Sequence, residues 1–335
     1  MARVPVIDVS PLITGADVDG VARQIDRACR EVGFFSVVNH GVDLALIQRV
    51  DTLAREFFAR PESEKQRVAM VHGGTAWRGW FPLHGELTSG APDHKEGYYF
   101  GRELPGTDRR VAAGLPLHGP NLWPDEPAAL RPAVTEYLAA LEQLGQYLTR
   151  AISVGLGLEP STLRDRWFSD PVVLLRLFRY PPDAPDAPEY GVGEHTDYGF
   201  LTILGQDDAG GLEVRTSDGW VEVPPDATAF VCNIGDMLDR LTAGRYRSTP
   251  HRVRAPATPD RISVPFFFDP DWNARIDALP DVGEPPTDDK TRRWDNTSIH
   301  TFDGTYGEYL LGKVAKVFPG LSATGLSDVG DAASC

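Results

Sequence analysis

Between residues 172 and 268 the chain is a succession of short apolar runs: "VVLLRLFRY", "FLTILG", "GLEVR", "WVEVP", "TAFVCNI", "RSTPHRVR" and "RISVPFFF". Clusters of Gly, Pro, Asp and Asn separate them. Runs of this length, rich in β-branched and aromatic residues, read as strands bounded by turns. Many short strands at close spacing predict a sandwich or a double-sheet jelly roll.

The first half reads differently. "VPVIDV" is a short β-branched strand, and "FFSVV" a buried one ended by "NHG". Val21, Ile25, Ala28 and Val32 fall near helical spacing, with Gly33 placed as a C-terminal cap. Asp43 is placed to cap a second helix carrying Leu46, Val50, Leu53 and Phe57 on one face. A long amphipathic segment runs from about 127 to 156, where Val134, Leu138, Leu141, Leu144, Leu148 and Ile152 share a face and Gly157 can end it. "FDGTYGEYLLGKVAKVF" reads as a closing helix. No strong linker divides the chain, so the helices are expected to flank the sheets. The expected layout is a helical and strand region over 1–120 packed on the core. The strand-rich core follows over 121–318 with its long supporting helix and closing helix, and 319–335 is a small, polar, mobile tail.

Charge narrows the partners. The 335 residues carry a formal net charge of −15, with a pI near 4.9. Nucleic acid and anionic membranes would be repelled. Cys29, Cys232 and Cys335 are widely spaced and form no CxxC pair, which argues against a disulfide framework or a thiolate zinc site and suits a reducing cytosol. "MARVPVIDVSPL" lacks the apolar stretch of a signal peptide, and no run is long enough to span a bilayer. A cytoplasmic protein, monomeric or weakly self-associating, is expected.

Chemistry concentrates in "GEHTDYGFLTIL". His195 and Asp197 stand at i and i+2, so in extended backbone both project to one side. A strand over 246–254 would bring His251 beside His195 if the two strands are neighbours. Two histidines and one carboxylate on one face of an octahedron leave three positions open, the facial arrangement of non-haem Fe(II) oxygenases. Alone, an HxD is commonly a turn or a surface pair. Ten residues after His251, Arg261 and Ser263 again share one side of a strand. A guanidinium turned into a barrel requires an anion, and its fork pairs bidentately with a carboxylate. By the same alternation Pro265 and Phe267 share that side, while Phe266 and Phe268 point towards packing.

Taken in order, His195-x-Asp197, His251 and Arg261-x-Ser263 resemble the isopenicillin N synthase-like branch of the 2-oxoglutarate- and Fe(II)-dependent oxygenases. So do "VPVIDVSPL", "GFFSVVNHGV", "KEGYYFG", "LLRLFRYPP", "HTDYGFLTIL", "GGLEV", "NIGDML", "GRYRSTPHRV" and "TYGEYLLGKVAKVFP", which together span nearly the whole chain. The resemblance implies a mainly β fold with flanking helices, built on a double-stranded β-helix (a cupin-like jelly roll). It implies His195, Asp197 and His251 as iron ligands. It implies Arg261 and Ser263 holding the far carboxylate of 2-oxoglutarate, and Tyr180 hydrogen-bonding an acid near the iron. Phe178 stands where some relatives carry an asparagine, which removes one polar contact. Phe267 matches a position where some relatives place an aromatic ring against substrate.

The implied activity consumes Fe(II)-bound 2-oxoglutarate and O2, gives succinate and CO2, and oxidises a C–H bond of a small-molecule metabolite. Hydroxylation is the expected outcome, with desaturation or cyclisation open to the same chemistry. An oxidase of the same fold that needs no 2-oxoglutarate, and a non-catalytic jelly roll that binds a small acid or a metal, are the alternatives. Arg261 does not discriminate the first of these, because its partner can be the substrate's own carboxylate. Elsewhere, His40 reads as a satisfied core histidine, and His72, His84, His94 and His118 as loop residues rather than ligands. Lys95-Glu96 reads as a solvated or structural pair. In "WRGWFPLHGE" (77–86), Trp77 and Arg78 are candidates for substrate contact or for packing.

Overall fold

The computed structural model describes residues 3–318, except 183–188, 257–259, 281–282, 285, 287–289 and 291–292. The expected tail at 319–335 lies outside the described residues, as does part of the Pro-rich stretch before His195. Among the described residues the strands are β1 Val6–Asp8, β2 Phe34–Val38, β3 Gly79–Phe81, β4 Glu96–Gly101, β5 Pro171–Tyr180 and β6 Tyr190–His195. They continue with β7 Leu201–Gln206, β8 Leu212–Thr216, β9 Gly219–Glu222, β10 Phe230–Ile234, β11 His251–Arg254 and β12 Arg261–Asp271. They form an eight-stranded sheet in the order β1-β2-β10-β7-β12-β5-β4-β3 and a four-stranded sheet in the order β6-β11-β8-β9.

The major sheet is completed from the N-terminal side at both edges. β1 pairs parallel with β2, which pairs with β10, while β3 and β4 extend the sheet beyond β5. The first half is thus less helical than its sequence suggests. β3 and β4 escape period-two reading because every residue in them is buried, so no polar alternation marks a face. β6 is a further strand that the sequence hides behind a Pro-rich stretch. β11 is shorter than expected: the strand covers His251–Arg254, and Tyr246 to Pro250 approach it outside regular structure.

Helices cover the major sheet's outer face. Helix Val18–Glu31 is capped by Asp17 and is followed by Gly33 at φ 74°, a left-handed turn suited to glycine. Asp43 caps helix Leu44–Phe58 by accepting from the Ala45 amide at 2.9 Å. The long helix Leu130–Gly155 buries Val134, Leu138, Leu141, Leu144, Leu148 and Ile152. It approaches β12 at Gly145, where a Cβ would lie 2.7 Å from the Phe268 ring. The closing helix Tyr306–Val317 starts with a capping box between Thr305 and Glu308.

β12 holds the alternation expected of it. Phe266 and Phe268 are fully buried on the helix side, and Phe268 stacks on Phe168 at 5.3 Å. Arg261, Ser263, Pro265 and Phe267 line a cavity on the other side. Phe266→Leu, which removes volume from a packed core, is expected to lower stability by about 1–2 kcal/mol. Phe267→Leu, on the cavity wall, is expected to cost less than half as much. Urea denaturation of both variants checks this, and equal losses would mean that Phe267 belongs to the core.

Candidate metal centre and acid-binding cavity

The cavity lies between the two sheets and is partly open to solvent. His195 ends β6 and His251 begins β11, and the two are register partners. Their rings sit 4.2 Å apart. Asp197 lies two residues past the end of β6, outside regular structure. The ligand atoms of the three all fall within 4.8 Å of one another, and no other such cluster of His, Cys, Asp or Glu exists among the described residues.

Each donor is oriented by a partner behind it. His195 Nδ1 lies 2.9 Å from the Gly193 carbonyl, and His251 Nδ1 lies 3.2 Å from that of Thr249. A carbonyl only accepts, so in each ring Nδ1 carries a hydrogen and Nε2 is the nitrogen turned to the site. The two Nε2 atoms face Asp197 Oδ1 at 3.9 and 3.8 Å. Asp197 Oδ2 accepts from Thr202 Oγ1 at 2.5 Å and Asn233 Nδ2 at 2.7 Å, which leaves Oδ1 to the site. Burial, then the neighbouring His251, push His195 down to about 3, so its imidazole is neutral. Burial raises the Asp197 carboxyl, but His251, His195, Asn233 and Thr202 outweigh it and hold Asp197 below its ordinary value. Two imidazole nitrogens and one carboxylate oxygen that converge on one point suit a divalent ion and leave open coordination positions.

Arg261 stands at one end of the cavity and is 1% exposed. Its Nε donates to the Gly210 carbonyl at 2.7 Å, but Nη1 and Nη2 are buried without a hydrogen-bond partner among the described residues. Ser263 lies two residues along the same face, and the Tyr180 ring sits 4.9 Å from the Arg261 guanidinium carbon. Phe178, also on this wall, pairs with Ser263 across the strands. The natural partner of a buried guanidinium is an anion, and an in-plane carboxylate fits two free terminal amines.

The rest of the wall differs from expectation. Trp77 and Arg78 do not line the cavity. The Trp77 ring packs edge-on to Phe318 at 5.4 Å. Arg78 is committed to backbone, donating to the Arg102 carbonyl at 2.8 Å, to Leu117 at 3.3 Å and to Gly119. Glu86, from the far end of the same stretch, reaches the cavity instead. Lys95 and Glu96 are not solvated. Lys95 is 1% exposed, lines the cavity and pairs with Glu86 at 2.9 Å and with Asp93. Glu96 faces away and binds Lys65 at 2.7 Å, Trp80 Nε1 at 2.8 Å and Arg179 at 2.7 Å. His40 is a core residue whose ring bonds the Thr228 carbonyl and the Val42 amide. Missed altogether were Asn233, Thr202, Glu86 and Arg176. Arg176 shares strand parity with Phe178 and Tyr180, and a charge inside so apolar a run is the signal that could have found it.

A major sheet facing a smaller one, with a His-Asp-His cluster between them and an arginine whose terminal amines have no partner among the described residues, defines a double-stranded β-helix metalloenzyme. Comparison with known proteins extends this. Residues 4–126 match the family model described as the non-haem dioxygenase in morphine synthesis N-terminal region, and residues 170–270 match the 2OG-Fe(II) oxygenase superfamily. A probable iron/ascorbate oxidoreductase of Dictyostelium discoideum is 43% identical over 327 residues, covering 90% of each chain. A 1-aminocyclopropane-1-carboxylate oxidase of the same organism is 36% identical, covering 95% of each. The crystal structure of a full-length Neurospora crassa protein in complex with alpha-KG and thymine superposes with a TM-score of 0.76 at 27% identity, over 93% of this chain and 96% of that one. The chain belongs to the isopenicillin N synthase-like family of 2-oxoglutarate- and Fe(II)-dependent oxygenases. It is a dioxygenase that uses Fe(II), 2-oxoglutarate and O2. No helix among the described residues is long and apolar enough to cross a membrane.

Proposed function

We propose that the protein hydroxylates a C–H bond of a small-molecule metabolite, with succinate and CO2 as co-products. In this reading His195, Asp197 and His251 hold Fe(II), and Arg261 with Ser263 anchors the far carboxylate of 2-oxoglutarate beside Tyr180. Bound Fe(II) supplies the activation of O2 that oxidative decarboxylation and C–H cleavage require. The side chains do the rest. Nδ1 contacts fix both imidazoles, Thr202 and Asn233 fix the carboxylate, and Arg261 sets the direction in which the cosubstrate lies. Phe267, Phe178 and Phe34 wall the space and limit water near the reacting carbon. The buried thiols Cys29 and Cys232, both unpaired, suit the reducing cytosol in which Fe(II) persists.

One observation carries the reading: a buried arginine with two unpartnered terminal amines shares a cavity with the His-Asp-His cluster. The test is an anaerobic titration of the protein with Fe(II) and 2-oxoglutarate, followed by admission of O2 over a metabolite panel. Expected are the charge-transfer absorption of a metal-chelated 2-oxo acid, then succinate, then a product heavier by one oxygen atom. A product lacking two hydrogens would replace hydroxylation by desaturation. No absorption and no succinate would sink the reading.

A further inference from the structure

Arg176 is a second buried guanidinium on the cavity wall, and the metal and cosubstrate roles leave it unused. It lies on β5 with Phe178 and Tyr180 on the same face, and its side chain is 8% exposed. Two rings pack against it: the guanidinium carbon is 4.1 Å from the Tyr99 centroid and 4.6 Å from that of Phe267. Its hydrogen bonds are made at the N–H edge. There it meets Tyr198 Oη at 3.1 Å and Glu86 Oε1 at 3.4 Å, while Nε has no partner among the described residues. A guanidinium has five N–H donors, so two acceptors, one of them distant, leave it under-satisfied.

The nearby acids are already engaged. Glu86 Oε1 also accepts from the Tyr99 hydroxyl, and its Oε2 lies 2.9 Å from Lys95 Nζ. Asp93 is bonded to Thr88 and Lys95. Glu86 thus already faces two cations, Lys95 and Arg176, and that charge balance leaves the cluster poorly suited to a substrate ammonium. The donor edge of Arg176 is what it offers. A neutral carbonyl would engage one N–H, whereas a carboxylate matches the fork with two. Tyr180 pairs with Arg261 across the strands, and Arg176 is four residues before it. The two arginines thus stand roughly 13 Å apart along the strands. Two acids can occupy the cavity without competing for one anchor.

We propose that Arg176 binds a carboxylate of the primary substrate, so that the enzyme oxidises an organic acid whose apolar part lies against Phe178, Phe267 and Val317. The inference rests on the assignment of Arg261 to 2-oxoglutarate. Its test uses the Fe(II)-loaded enzyme and follows 2-oxoglutarate consumption. The probes are phenylacetate, indole-3-acetate and octanoate, each beside its methyl ester and primary amide. Acids are expected to stimulate consumption, with half-saturation lower than for the matched ester and amide by about tenfold or more. Arg176→Gln is expected to erase that preference while leaving 2-oxoglutarate half-saturation unchanged, and Arg176→Lys to restore part of it. Esters that stimulate as well as acids, a panel in which no acid stimulates, or an Arg176→Gln enzyme that keeps the preference would each overturn the proposal. If Arg176→Gln does not fold, the acid and ester comparison on the unaltered enzyme decides alone. Failure of the underlying assignment has another signature: the unaltered enzyme would neither bind 2-oxoglutarate anaerobically nor form succinate with any probe.

Discussion

Asp197→Ala is expected to abolish turnover and to weaken Fe(II) binding by on the order of 100-fold or more. Loss of a partner behind a ligand typically costs 10–100-fold in metal affinity or activity, and this change removes the ligand itself. Asp197 supplies the one negative charge among the three donors, and its Oδ1 faces both Nε2 atoms. Without it only the two imidazoles remain, a set with no anionic donor to retain the ion. The fold should survive, because Thr202 and Asn233 lose an acceptor that borders an open cavity rather than packed core. Anaerobic Fe(II) titration and circular dichroism of the variant check both halves. Iron affinity equal to that of the unaltered protein would remove Asp197 from the metal site.

The second large effect is expected at Arg261. Arg261→Ala should raise the half-saturation for 2-oxoglutarate by on the order of 100-fold. Two terminal amines face the cavity unpartnered, and a charge-assisted hydrogen bond contributes about 1.5–3 kcal/mol, with each 1.4 kcal/mol worth tenfold. Stability should change little or rise. The variant loses only the bond to the Gly210 carbonyl and the contact with Tyr180, and it relieves a desolvated charge. Steady-state kinetics beside a melting curve separates the outcomes. A fall in stability with unchanged cosubstrate affinity would make Arg261 a structural residue.

What could be read in advance followed local periodicity. Arg261, Ser263, Pro265 and Phe267 share a parity, and β12 keeps it without a bulge until Asp269. The long helix was visible because its buried residues recur at helical spacing. Asp197 was found by proximity in sequence to His195, although it lies past the end of the strand. Local pattern failed where partners are remote. Lys95 next to Glu96 looks like a surface pair, yet the two side chains enter different buried networks, one with Glu86 and Asp93 and the other with Lys65 and Arg179. Arg78 looked available for substrate because nothing nearby in sequence shows the carbonyls of Arg102, Leu117 and Gly119 that surround it. Asn233 lies 36 residues from the carboxylate it orients. Such contacts depend on sheet order, which alternation does not encode.

That sheet order also decides when the protein can fold. β2 is made early in synthesis, but its antiparallel neighbour β10 begins at Phe230, and β10 in turn needs β7 on its other side. β4 waits for β5 in the same way. The apolar strand Phe34–Val38 therefore leaves the ribosome with only the three-residue β1 beside it, long before β10 exists to cover its other edge. Pairings so distant along the chain form slowly and expose sticky edges meanwhile. The proposed metal centre, whose carboxylate is steadied by β10 and whose second histidine opens β11, comes together only after most of the polypeptide has been synthesised, so iron loading there would belong to the finished chain and not to the nascent one.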